Sequence, residues 1–152
     1  MNEKKKSILI VEDDKAIIKS LKDILQSEGY SVDTAENGRE AIQKSKEKFF
    51  NMALLDIKLP DMEGTKLLTL MHEDLPKMVK IMVTGYPSLE NAVEALNLGA
   101  DAYVMKPIKP ENLLALIKEK LEEQREAEKM TEGKVTKWIK TRARKLEDDS
   151  QQ

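Results

Sequence analysis

Residues 7–14 read Ser-Ile-Leu-Ile-Val-Glu-Asp-Asp, and their order decides the fold. The β-branched run is apolar without alternation, as expected of a strand buried on both faces, which is the signature of a parallel sheet. The acidic residues that follow suit a helix N-terminus, and Ile17, Ile18, Leu21, Ile24 and Leu25 then recur at helical spacing until Gly29-Tyr30 stops them. The same unit repeats outward. Val32 to Ala35 reads as a second strand, Asn37-Gly38 as a turn, and Ala41, Ile42, Ser45 and Phe49 as a helix. Met52 to Leu55 forms a third strand ending at Asp56. After the Pro60/Gly64 loop, Leu67, Leu68 and Met71 mark a helix broken before Pro76. Residues 79–83 are a fourth strand, and Leu89, Ala92, Val93 and Leu96 line a helix closed by Gly99. Residues 102–104 are a fifth strand, followed by Lys106-Pro107 and a helix from about Pro110 bearing Leu113, Leu114, Ile117 and Leu121. Such βα units, about 21 to 28 residues apart, are too irregular for a solenoid. They are too few for the eight of a closed barrel. An open, doubly wound α/β sheet in three layers is the expected fold, with right-handed crossovers.

Composition narrows the function. The 152 residues are 36% charged but carry a net charge of only −2. The strong positive charge of a whole-protein nucleic-acid binder is absent, so a nucleic-acid partner is not expected. With no cysteine, disulfides, thiolate metal sites and thiol catalysis are excluded, and a reducing, cytoplasmic location is expected. The single histidine argues against a histidine-rich metal site. No apolar run approaches a membrane span, and the four-residue run after the basic N-terminus is far short of a signal peptide.

Ligands of open α/β sheets bind beyond the carboxyl ends of the strands. There the first strand delivers Glu12 and Asp13, the third Asp56, the fourth Thr84 and the fifth Lys106. Each alone is commonplace: an Asp after a strand is usually a cap, a Lys before Pro usually solvated. Their joint placement carries the argument. Two carboxylates about 5 Å apart repel by roughly 3 kcal/mol at an effective dielectric near 20, so three need a cation. Hard oxygen donors favour Mg²⁺. A metal with an ammonium beside it suits phosphate chemistry, in which one carboxylate attacks phosphorus. Asp56, alone at its strand end, is the best nucleophile.

The four segments ILIVEDD, ALLDIKLPDMEG, IMVTGY and GADAYVMKP, in this order and spacing, resemble the receiver domain of two-component response regulators over about residues 5–122. The resemblance implies a flavodoxin-like (βα)5 fold with sheet order 2-1-3-4-5. It makes Asp56 the phospho-acceptor, Asp13 a direct Mg²⁺ ligand and Glu12 a ligand through water, because Glu12 stands where Asp is common. The backbone carbonyl of Lys58 would complete the protein's share of the metal shell. Thr84 would hydrogen-bond the phosphoryl group and Lys106 pair with it, with a cis bond before Pro107, and Tyr103 would be the aromatic switch residue. Lys58 and Tyr86 lie where the family tunes phosphoryl lifetime. The implied partners are a sensor histidine kinase or phosphotransfer protein and a downstream protein target. The chain would assist its own phosphorylation and dephosphorylation without turning over an independent substrate.

Three other classes compete. A phosphorylation-independent pseudo-receiver scaffold would not need the intact set Asp13, Asp56, Thr84 and Lys106. An aspartyl-phosphate hydrolase would want an acid two residues after the nucleophile, where this chain has Lys58. A dinucleotide enzyme would want glycines after the first strand.

Charge also divides the chain. Residues 1–122 hold 39 charged and 54 apolar residues, and residues 123–152 hold 15 charged and 7 apolar. A receiver domain over 1–122 and a charged C-terminal helical extension over 123–152 are expected, the latter too short for a separate DNA-binding domain. Gly133 is expected to interrupt the extension, after which Val135, Trp138, Ile139, Ala143 and Leu146 recur at helical spacing among six basic residues. The end is expected to fray. The Trp138 face would dock on the receiver or a second protomer, bind a partner helix, or lie on an anionic surface. Homodimerisation is expected through the fourth helix, fifth strand and fifth helix, or through this extension.

Overall fold

The structure, a computed structural model, describes residues 5–71, 77–85 and 88–150, with backbone only at 138 and 145–150. Five strands, β1 (Ser7–Val11), β2 (Ser31–Ala35), β3 (Met52–Asp56), β4 (Val79–Thr84) and β5 (Ala102–Met105), alternate with five helices. These are α1 (Lys15–Ser27), α2 (Gly38–Glu47), α3 (Gly64–Leu70), α4 (Leu89–Asn97) and α5 (Pro110–Ser150). The strands form one parallel sheet in the order β2-β1-β3-β4-β5, as the resemblance implied.

Period-two alternation within each strand builds two cores. Ile8, Ile10, Leu54, Ile81 and Val83 point to one face and pack with Leu21 and Leu25 of α1 and Leu113, Ile117 and Leu121 of α5. Leu9, Val11, Ala53, Leu55 and Met82 point to the other and pack with Ala41, Leu67 and Ala95. Both faces of the sheet are therefore covered, which is why its strands read as unbroken apolar runs. Of the two aspartates after β1, Asp14 caps α1, its Oδ1 accepting from Ala16 N at 2.9 Å and Ile17 N at 3.3 Å. That leaves Asp13 outside the cap. Gly29 and Gly99, at φ 93° and 108°, terminate α1 and α4 in the left-handed conformation that glycine adopts without strain.

Three sequence expectations are corrected. Phe49 is not on α2: the helix stops at Glu47, Lys48 is extended, and Phe50 rather than Phe49 enters the core. In α4 the buried residue is Ala95, whereas Leu89, Val93 and Leu96 face outward. Periodicity shows that a helix has an apolar side, but not which side the sheet takes. Third, Gly133 does not interrupt the extension. Helix α5 is continuous over its 41 residues, because one glycine costs only about 1 kcal/mol relative to alanine among strong helix formers. The boundary expected at 122 thus lies inside α5. The extension leaves the receiver instead of docking on it, with Met130, Val135 and Ile139 exposed. The expected break before Pro76 and the Tyr86 position lie outside the described residues, as does the Trp138 side chain.

Among the described residues, no atom outside the local helix backbone lies within 4 Å of where a Gly133 Cβ would stand. Gly133→Ala should therefore slow amide exchange around that turn by about fivefold, the equivalent of about 1 kcal/mol, and leave the receiver's Tm unchanged.

At its root α5 is anchored by a buried polar network. Gln124 Nε2 donates to the carbonyls of Asn51 (2.9 Å) and Lys77 (2.8 Å), and Gln124 Oε1 accepts from Asn51 Nδ2 at 3.1 Å. Asn51 Oδ1 in turn accepts from Ser7 N at 3.0 Å. Buried amides of this kind are retained only when satisfied, and these join α5 to the lower edge of the sheet.

Candidate functional site

Parallel register aligns the strand ends. Val11 pairs with Leu55, Asp56 with Val83 and Thr84 with Met105, so the residues at or just past these positions meet at one edge. Glu12, Asp13 and Asp56 each offer a carboxylate oxygen there, all within 4.8 Å of one another. Glu12 is 3% exposed and Asp56 8%, whereas Asp13 is exposed. The deep acid is organised by its own turn: Glu12 Oε2 accepts from Asp13 N at 2.9 Å and from Asp14 N at 3.4 Å.

Lys106 joins the two buried acids. Its Nζ donates to Glu12 Oε1 at 2.5 Å and to Asp56 Oδ2 at 3.3 Å. Its backbone N donates to Thr84 O at 2.7 Å, and its bond to Pro107 is cis. Lys58 N reaches Asp56 Oδ1 at 3.4 Å. Thr84 is fully buried. Tyr103 is half-buried against the core that contains Met82, and its hydroxyl is buried without a hydrogen-bond partner among the described residues. The sequence-predicted residues from β1, β3, β4 and the end of β5 thus stand at one edge, where Glu12, Asp13, Asp56 and Lys106 come together.

The electrostatics of the cluster favour a cation. Burial pushes the Glu12 carboxyl up from 4.5 to about 7; Lys106 draws it down, but Asp56 adds to the rise through a hydrogen bond and charge. Burial opposes the Lys106 ammonium, yet its bonds and attraction to Glu12 and Asp56 prevail and raise its pKa. The donor set is oxygen throughout, with no soft ligand, so the three carboxylates fit a hard divalent ion.

A stability profile follows. The folded chain holds the Glu12 proton more tightly than the unfolded chain does. Its stabilising effect is complete below about 4.5 and is lost as pH rises through about 7. In metal-free buffer, Tm should fall by roughly 5 °C between about pH 5 and pH 8, and Glu12→Gln should flatten that part of the profile. Calorimetry at several pH values checks both.

One contributor went unassigned in the sequence. Gly64 opens α3, and its N donates to Ile57 O at 2.5 Å. A Cβ there would overlap the Asp56 carbonyl oxygen and lie 2.9 Å from Ile57 Cα. Only the missing side chain lets α3 approach the backbone that carries Asp56. The glycine four residues after Pro60 was visible, but nothing in the sequence showed what it touches.

The chain is similar to known proteins over the region that holds this site. The sequence profile described as "Response regulator receiver domain" matches residues 8–118. The transcriptional regulatory protein ZraR of Escherichia coli K12 is 35% identical over 114 residues, which are 75% of this chain and 26% of ZraR. The chain therefore spans about a quarter of that relative's length. A CheY-like receiver domain protein from Methanospirillum hungatei superposes with a TM-score of 0.77 at 58% identity, covering 81% of this chain and 98% of that one. A response regulator from Burkholderia pseudomallei, solved with a phosphorylated aspartic acid, a calcium ion and citrate, superposes at 0.68 with 29% identity, covering 81% and 72%. With its strand order, its acidic strand ends and a profile match over more than two thirds of its length, the chain belongs to the response regulator receiver domain family.

Proposed function

We propose that Asp56 accepts a phosphoryl group from the phosphohistidine of a sensor histidine kinase or phosphotransfer protein, in a Mg²⁺-dependent step, and that the chain then signals to a downstream protein. The observation that carries this reading is the placement of Asp56. Its carboxylate stands 3.3 Å from the Lys106 ammonium, among acids that would hold a divalent ion. Asp13, Asp56 and the Lys58 backbone carbonyl would hold Mg²⁺, with Glu12 acting through water. When bound, the ion neutralises charge on the phosphoryl oxygens.

The chain's own groups supply the rest. An Asp56 oxygen forms the new bond to phosphorus as the P–N bond breaks, its electron pair returning to the donor's imidazole. Glu12 holds Lys106 in place, and Lys106 offers its positive charge to the transferred group. A groove of about 610 Å³ lined by Ile17, Ile24, Pro107 and Ile108 opens beside Lys106 and offers the donor protein an apolar surface. No independent substrate is turned over; the chain assists its own phosphorylation and the later attack by water.

Signalling would run through Thr84 and Tyr103. A phosphoryl group on Asp56 offers the Thr84 hydroxyl a charged acceptor. Among the described residues the Tyr103 hydroxyl has no partner in its buried place, so moving the ring breaks no hydrogen bond. Phosphorylation then shifts the population and reshapes the α4–β5–α5 face, where Leu89, Val93, Leu96 and Met105 are exposed.

The test is incubation with acetyl phosphate and Mg²⁺ followed by intact mass measurement. One phosphoryl group per chain is expected, and none in excess EDTA. A chain that stays unlabelled while binding its protein target would instead be a phosphorylation-independent scaffold.

A further inference from the structure

The part of α5 beyond the receiver is left unused by this function, and its charge changes sign along its length. Residues 122–132 hold five acidic and two basic side chains, residues 134–146 hold six basic and none acidic, and Glu147, Asp148 and Asp149 follow, so that residues 134–150 net +3. The basic half carries exposed apolar side chains, Val135 at 51% and Ile139 at 54%. Beside the acidic half lies a groove of about 470 Å³ between the root of the extension and the lower edge of the sheet. Met78 and Val79, themselves buried, form its floor. Asp101, Glu123, Glu128 and Glu132 line it against Lys77 and Lys120, a net charge of −2.

Helical register relates the two. At about 100° per residue, positions 124, 128 and 131, which border the groove, fall on the same side of α5 as 135, 139, 142 and 146. We propose that two copies of this chain pair through their extensions, antiparallel, each basic stretch, residues 134–146, seated in the other copy's acidic groove. A two-fold axis near Val135 sets Arg142 of one copy against Glu128 of the other, Ile139 against Thr131, and position 146 over the groove floor. One rotation fills both grooves, as a closed isologous contact requires. Parallel pairing would set basic end against basic end. A parallel coiled-coil seam is also weak here, because Glu128 and Thr131 occupy its middle positions. The contact does not depend on phosphorylation of Asp56.

Sedimentation velocity of the full chain from about 1 to 100 μM tests the contact, with Arg142→Glu, Glu128→Arg and the double variant as probes. The wild type is expected to pass from monomer to dimer, with less dimer at high salt. Each single reversal acts twice in the symmetric contact and should weaken association at least about tenfold. The double variant should recover to within about threefold of the wild type. Circular dichroism verifies that α5 is intact in each. A wild type that stays monomeric overturns the proposal. So does a double variant no better than the singles, or a dimer insensitive to both reversals, which would place the contact on another face. Binding of the monomer to phosphatidylserine vesicles, lost in Arg142→Glu and kept in Glu128→Arg, would also overturn it and assign the basic end to a lipid surface.

Discussion

Asp56→Asn should abolish phosphoryl transfer from acetyl phosphate while leaving the fold intact. The amide matches the carboxylate in size, so the Lys58 N–H at 3.4 Å keeps an oxygen acceptor, and Lys106 keeps its 2.5 Å bond to Glu12. The nucleophile is lost, however, because an amide oxygen at Asp56 does not form a stable bond to phosphorus at neutral pH. Mass spectrometry should show no incorporation under conditions that label the wild type fully. Removing one negative charge from a crowded buried set should also leave Tm unchanged or slightly raised in metal-free buffer. Full labelling of Asp56→Asn would remove Asp56 from its role.

Gly64→Ala should be the most damaging small substitution in the receiver. The added carbon overlaps the Asp56 carbonyl oxygen and crowds Ile57 Cα. Both are backbone atoms of the strand end, with no side chain to swing aside. Either α3 retreats, losing the 2.5 Å bond from Gly64 N to Ile57 O, or the end of β3 shifts. A cost of about 3 kcal/mol, or roughly 10 °C in Tm, is expected. Labelling should slow by more than the loss of folded protein explains, because Asp56 moves with its carbonyl. Gly85→Ala is the control: among the described residues its Cβ would meet only Lys106 Cδ, at 3.8 Å, so Tm should change by less than about 3 °C. Thermal melts and labelling rates on both variants check the pair.

What the sequence disclosed follows a physical division. Buried strands advertise themselves, because a parallel sheet covered on both faces has no polar side; residues 8–11 and 52–55 could be read directly. Site residues were legible for a related reason: topology brings strand ends together, so an acid just past a strand has a known destination. Asp13 was picked out by its place just past the strand, and the cap bonds of Asp14 show what the next acid does instead. Contacts between elements were not legible. Gly64 needed the position of the Asp56 carbonyl, and Gln124 looked like any polar residue on a charged helix until its bonds to Asn51 and Lys77 appeared. The α4 leucines misled because an apolar stripe reports that something is to be covered, without saying whether the fold or another molecule does so.

The Gln124 network also makes α5 a lever with its fulcrum at the lower edge of the sheet. From Gln124 to Ser150 the helix extends about 39 Å at 1.5 Å per residue. Each degree of tilt about that point therefore moves the far end by about 0.7 Å. The short arm of the same helix begins at Pro110, four residues beyond Lys106, so any displacement there would be reversed in direction at the far end and enlarged roughly twofold in amplitude.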